Sequence, residues 1–480
     1  MKNQIALALV FFGCIGQTVL NANTITVGPG KDYPSPNALY NANVLMDGDS
    51  IMIDAGIYTG NNALCAWQKN NLVIIGIGGR PHMQAEGSYI WGKGTWVFAG
   101  NNISVENIEF SGAAVPDLNG AGIRLDGSGM TVKHCFFHDN ENGILTSNPG
   151  TGDILIEYSE FAYNGYGDGQ SHNLYIGRVS NLIFRYNYSH HAKIGHNLKS
   201  RAKVNAILYN RIMDESDGTS SYLIDMSNGG SALVMGNLLM QGQQTDNCNM
   251  VSYALEGFGP AYDNHLYFVH NTMVNKRSPG CNFINLNSSS LGLVANNIMT
   301  GPGNLSSNPI DTMGNMKVLD PGAVGLINEA QYDYRLAANS PAINFGAVLT
   351  NPSLWNLLPD QSYVHPMSTM ARMNMGQPDA GAYEYESVLA IEDEELNQFH
   401  QGLDEDKMVL FPNPASSFLS IKNRKTFEEG FSIFDTNGVE KISGHISEGI
   451  DISSLAAGLF FFKVKSIKYN KTLMIPFVKL

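Results

Sequence analysis

The sequence predicts an all-β chain: a long parallel β-helix followed by a smaller second domain. Three observations lead there. At 480 residues the chain is too long for one ordinary core but suits a repetitive domain with a small companion. Only 15% of residues are charged while 50 are glycine, which favours stacked short strands and tight turns over helical bundles. Third, a unit of apolar strand, Asn, any residue and apolar residue recurs in "VENIEF", "RYNY", "LYNRI", "MGNLL", "VHNTM" and "ANNIM", at Asn107, Asn187, Asn210, Asn237, Asn271 and Asn297. From Asn187 the steps are 23, 27, 34 and 26 residues, and His134 and Ser159 divide the gap below it into 27, 25 and 28. One coil of that length cannot bury its own apolar face, but coils stacked roughly 4.8 Å apart can. The asparagines are then expected to form an amide ladder from coil to coil.

The elements follow in chain order. Residues 1–22 carry Lys2, an apolar run from Ile5 to Phe12, and small residues up to Ala22, the pattern of a secretory signal too short to span a bilayer. Residues 23–386 hold the solenoid. Its opening, "ITVGPGKDYPSPNALYNANVLMDGDSIMIDAGIYTG", predicts a short helix near 35–46 before the first strands. With the repeat and the closing "YDYRLAANSPAINFGA" and "DAGAYEY", this stretch resembles the right-handed parallel β-helix family that includes pectate-lyase-like proteins. Residues 387–407 are an acidic linker without apolar period. Residues 408–480, with "FPNPASSFLSI" and "ISSLAAGLFFFKVKS", resemble the C-terminal sorting domain of the type IX secretion pathway. That resemblance implies a small β-sandwich, contact with the secretion machinery and a location outside the cell or on its surface.

A formal charge of −14 speaks against a nucleic-acid binder, and no later stretch is apolar enough to cross a membrane. A monomer is expected. Cys248 in "CNMVSY" and Cys281 in "CNFINL" stand in matching frames, so neighbouring coils would bring them within disulfide reach.

Function is sought where the charge pattern breaks. Residues 169–213 contain no Asp or Glu but seven cations: Arg178, Arg185, Lys193, Lys199, Arg201, Lys203 and Arg211. An acidic protein that clears acids from adjacent coils is read as preparing a face for an anion. Within the window "SHNLY" returns as "GHNLK", with His172 and His196 24 residues apart. Alternation along the strands puts Leu174, Ile176, Leu198 and Ser200 inward, and Asn173, Tyr175, Asn197, Lys199 and Arg201 outward. Aligning the next coil, "SYLIDMSNGG", sets Asp225 beside Lys199 and Tyr222 beside His196. A linear anionic polymer would meet these groups at regular steps.

The chemistry this suits is β-elimination on a uronate polysaccharide. A base takes the proton α to the carboxylate, a cation holds the developing charge, and an acid protonates the leaving oxygen. Lys199, Arg201, His196, Tyr175 and Tyr222 are the candidate catalytic residues; His172, Asn173, Asn197, Asp225 and Asn228 are the candidate substrate-binding ones. The family resemblance implies Ca²⁺ as a cofactor in some members, and the acidic loop "DESDG", with Asp214 and Asp217, is the nearest candidate for it. A glycoside hydrolase would need two carboxylates across the scissile bond; only Asp225 and Glu256 lie in the next coils. A non-catalytic polysaccharide-binding surface protein or adhesin is the third class.

Overall fold

The computed structural model describes residues 22–385, except 261, 374 and 375, and strand-bearing stretches between 409 and 479. The expected export signal, apart from residue 22, and the acidic linker at 387–407 lie outside the described residues. The chain divides into two units, 1–386 and 387–480.

In the first unit each coil gives one strand to each of three parallel sheets, A, B and C in turn. Asn181–Arg185 lies in sheet A, Tyr188–His190 in B and Leu198–Ser200 in C, before Val204–Leu208 returns to A. The sheets hold 12, 11 and 10 strands. Inward residues form continuous files, because side chains alternate and the coils stay in register. Phe110, Phe137 and Phe161 in sheet B are fully buried, their rings 4.9 Å apart at each step. This is the solenoid the repeat predicts.

The amide ladder runs along the corner between sheets A and B, with a correction. Asn187, Asn210, Asn237, Asn271, Asn297 and Asn315 stack, each donating its backbone N–H and its Nδ2 to the Oδ1 of the next at 2.8–3.2 Å. Ser159 extends the column downward, its N–H bonded to Asn187 Oδ1 at 2.9 Å and its Oγ accepting from Cys135 N–H at 3.1 Å. Asn107 and His134, expected in the column, sit one residue earlier. They share with Tyr158, Tyr186 and Tyr209 a left-handed position, φ 48–63°, that swings the chain from sheet A into sheet B. Ile108 and Cys135 hold the ladder position in those coils. Asn107 tolerates positive φ and uses its amide on the carbonyls of Gly76 and Gly79.

The first end of the solenoid and part of its outer wall are covered by the chain itself. The helix is shorter than expected, Pro36–Ala42, because Asn43 adopts the left-handed conformation that stops it. Ser35 caps its start, accepting from Ala38 N–H, and Leu39 is fully buried. After the strand Met316–Val318 the chain leaves the solenoid for two antiparallel pairs, Leu326–Asn328 with Asp333–Leu336 and Gln361–Val364 with Ser368–Ala371. This segment lies back against the coils: Tyr334 and Tyr363 join Met213, Met240 and Val274 in one cluster, and Tyr209 donates to Asp360 at 2.9 Å. Cys248 and Cys281 are joined by a disulfide, Cα atoms 5.1 Å apart.

The second unit contains two antiparallel sheets. One joins Val409–Phe411, Phe418–Lys422 and Ile450–Asp451; the other joins Glu440–His445, Phe427–Asp435, Gly458–Ser466 and Lys471–Lys479. Its own core includes Leu419, Ile433, Ile452, Phe462 and Val464.

Candidate functional site

Sheet C brings the expected outward column together. Tyr175 pairs with Lys199, and Lys199 with Asp225, in the register of the strands Leu174–Ile176, Leu198–Ser200 and Ile224–Met226. Leu174, Ile176, Leu198 and Ser200 are buried. Arg201 follows the Lys199 strand. Its Nε donates to Tyr175 OH at 2.6 Å and its Nη1 to Asn228 Oδ1 at 2.6 Å. The charged ends of Lys199 and Arg201 lie 5.4 and 5.6 Å from the Tyr175 ring centre, within cation–π range.

Two acids neutralise the pair. Asp225 Oδ2 lies 3.4 Å from Lys199 Nζ, and its carboxylate also accepts from Ser227 and Ser252 hydroxyls. Glu256 Oε1 lies 3.5 Å from Lys199 Nζ, and Glu256 Oε2 lies 2.7 Å from Arg201 Nη2. The side chains differ in exposure: 7% for Asp225, 13% for Lys199, 15% for Arg201, but 49% for Glu256. Asp225 is therefore a buried brace and Glu256 a surface carboxylate held by two cations. Burial opposes the charge on Arg201, yet its bonds to Tyr175 and Glu256 outweigh it and raise the guanidinium pKa. Asn228 braces Arg201 from beneath, and its Nδ2 donates to Gly257 O at 3.1 Å, fixing the turn that carries Glu256.

The repeated His–Asn pair has a different role from the one expected. His172 and His196 stack, ring centres 4.6 Å apart at 11°. His172 Nδ1 accepts the backbone N–H of His196 at 3.0 Å, and His196 Nδ1 accepts that of Tyr222 at 3.2 Å. With Nδ1 an acceptor, the neutral ring carries its proton on Nε2, and His196 Nε2 lies 3.6 Å from Asp225 Oδ2. Burial pushes the His196 imidazole down to about 4; Asp225 opposes that shift and Lys199 adds to it. His172, 2% exposed, is held well below the usual imidazole range by burial. Both rings stitch coil to coil, so His172 does not face a ligand and His196 has no free nitrogen with which to act as a base.

Asn173 and Asn197 are corrections too. Both are fully buried, members of a second ladder at the corner between sheets B and C: Asn140, Asn164, Asn173 and Asn197, linked at 2.9–3.0 Å. The chain bends there, so strand alternation fails. The ladder ends on Asp214, which accepts from Asn197 Nδ2 at 3.1 Å and from Ser220 Oγ at 2.6 Å. Burial pushes the Asp214 carboxyl up to about 6. Asp217 is 69% exposed and faces His191 at 3.2 Å. The two acids point to different partners, one without solvent access, and this loop does not fit Ca²⁺. Tyr222 is half-buried beside His196, ring centres 5.4 Å apart.

Most cations of the window without acids are paired as well. Arg185 pairs with Glu157, Lys193 with Asp139 and Arg211 with Glu215, all from outside the window.

Fold and site together define a class: a parallel β-solenoid with a polar patch on one wall. Residues 75–239 match the family described as right handed beta helix region, and residues 409–475 match the secretion system C-terminal sorting domain. The chain thus carries a right-handed β-helix and a type IX sorting domain, which points to export across the outer membrane. No curated protein matches the sequence. Among solved structures, the crystal structure of pectate lyase Pel9A is similar at 15% identity and a TM-score of 0.46, over 76% of this chain and 96% of that one. Among the described residues no helix is long and apolar enough to cross a membrane.

Proposed function

We propose that the protein is a secreted or surface-held polysaccharide lyase that cleaves a uronate-containing polymer by β-elimination at Tyr175, Lys199 and Arg201. The observation that supports this most is Glu256, an exposed carboxylate already gripped by Arg201 and approached by Lys199. A substrate carboxylate that displaces it inherits the same partners.

Arg201 then holds the charge that grows on the uronate carboxylate as its α-proton leaves. Lys199, after giving up a proton to solvent once the substrate is seated, takes that proton. The C–H electron pair forms the new C=C bond, the glycosidic C–O bond breaks, and Tyr175 gives its proton to the leaving oxygen. Tyr175 is suited to this: its oxygen accepts from Arg201 Nε, which leaves its O–H free to donate. Return of the proton from Lys199 to Tyr175 through solvent restores the site. Asp225, Asn228 and His196 position these groups. Hydrolysis is less well supported, because Asp225 is 7% exposed and committed to Lys199 and two serines.

The test is incubation with pectate, alginate, glucuronan and glycosaminoglycans, following the ultraviolet absorbance of unsaturated uronate and, in parallel, reducing ends. The expected result is absorbance and reducing ends rising together on one polymer. Lys199→Ala and Arg201→Ala should each lower turnover by at least about a hundredfold in protein that circular dichroism shows to be folded, with melting lowered in Lys199→Ala because the buried Asp225 loses its partner. Reducing ends without absorbance would make the protein a hydrolase, and binding with neither an adhesin. A double variant at full rate would remove the site.

A further inference from the structure

We propose a second site, a transition-metal site of the zinc class built from His82, Glu109 and His138 on sheet B. Their strands, His82–Gln84, Glu109–Ser111 and Phe136–His138, are successive coils of that sheet. The intervening Met83, Phe110 and Phe137 are fully buried, so alternation turns the three polar side chains outward. They are 19%, 24% and 20% exposed, covered enough to be held and open enough for an ion to enter.

The donor atoms lie close enough together to share one ion. Glu109 Oε1 lies 3.5 Å from His82 Nδ1 and 3.2 Å from His138 Nε2, and one ligand atom from each residue fits within 4.8 Å of the others. Tetrahedral ligands at zinc distances stand about 3.3 Å apart. The outer partners fix the tautomers. His138 Nδ1 lies 3.0 Å from Asp139 Oδ2, and a carboxylate can only accept, so in the neutral ring the proton is on Nδ1 and Nε2 presents a lone pair to Glu109. His82 Nε2 lies 2.7 Å from Ser111 Oγ; donation to that hydroxyl leaves Nδ1 as a second lone pair. In these tautomers two imidazole nitrogens face one carboxylate oxygen, the donor set a cation would complete. Ordering of ligating histidines by carboxylates and hydroxyls is how metal sites are built. Two nitrogens and one oxygen suit Zn²⁺ or its neighbours and not Ca²⁺, which takes six to eight oxygens. A bound ion would staple three coils and keep a position open to water. It lies on a different sheet from Lys199 and takes no part in the reaction proposed above.

The experiment is titration of the chelator-treated protein with ZnCl₂ near neutral pH by calorimetry, and with CoCl₂ by visible absorption. The expected result is binding at micromolar affinity or tighter, with tetrahedral Co²⁺ bands and a higher melting temperature. His82→Ala and His138→Ala should each weaken Zn²⁺ binding at least tenfold, and Asp139→Asn by roughly tenfold through its hold on His138. Absent tetrahedral bands in the unaltered protein, or unchanged affinity in a folded H82A/H138A variant, would overturn the proposal.

Discussion

Glu256 is the residue on which the reading of the Lys199 patch turns, and sequence order hides its role. It lies 55 positions from Arg201, yet hydrogen-bonds to it at 3.0 Å. Scanning a window for missing acids cannot see such a partner, because in a solenoid a side chain's neighbours sit one or two coils away. The same error made residues 169–213 look like a bare basic face, although Glu157, Asp139 and Glu215 reach in from outside it. If Glu256 occupies the place of a substrate carboxylate, Glu256→Gln keeps its shape and removes the competing charge. KM should fall several-fold, on the order of the 1 kcal/mol assigned to exposed ion pairs, with kcat little changed. Initial rates over a range of polymer concentrations check this. A raised KM would make Glu256 a partner of the substrate rather than its stand-in.

At the scale of strands and corners, most of the fold was legible because its period is written in residue types that pair with themselves. Asn187 to Asn297 could be placed in one column, since an amide bonds to an amide one coil away. Tyr175, Lys199 and Asp225 could be aligned, since strands alternate. Not every corner was legible. Asn107 and His134 slipped by one residue into the left-handed position, and Asn173 and Asn197 turned inward. "HNL" repeats because it stitches two coils, not because it presents a surface. The second ladder, between sheets B and C, ends on a carboxylate, and that has a pH consequence. Asp214 has an ordinary value of 3.8 and a folded value of about 6, so between those values the folded chain binds more proton than the unfolded one. Its contribution is therefore lost as pH rises through that window, up to about 3 kcal/mol above it. Asp214→Asn keeps an acceptor for Asn197 and offers Ser220 a donor, without the buried charge. The variant should melt higher than the parent at pH 7, and this advantage should shrink to nothing near pH 4. Thermal melts of both proteins across that range check it; a constant difference would mean the carboxyl is protonated throughout or that packing dominates.

Over the whole molecule, the two units solve the same problem in different ways. A solenoid leaves an apolar end and unpaired strand edges wherever stacking stops. Here Leu39 and its helix cover one end, and the chain after residue 318 folds back along the outer wall, with Trp355 donating to Ser231 at 3.2 Å and Ala382 N–H bonded to Thr272 at 3.0 Å. The buried ion pair of Arg372 with Glu384, 0% and 6% exposed, locks the last of these turns before the second unit begins. The first unit thus covers its outer wall with its own chain, and the sorting domain has its own core around Phe431, Ile433 and Phe462. An export tag benefits from this separation, because the cargo must fold whether or not the tag remains. A chain ending at residue 386 should therefore keep the far-ultraviolet spectrum of stacked strands and melt within about 2 °C of the solenoid transition in the full protein, far less than the shift expected from losing even 1 kcal/mol in a small domain. A chain ending at residue 318 should not, since it exposes Met213, Met240 and Val274 where Tyr334 and Tyr363 now pack. Circular dichroism and calorimetry on the two truncations decide it: a large drop for the chain ending at 386 would mean the solenoid depends on the sorting domain for stability.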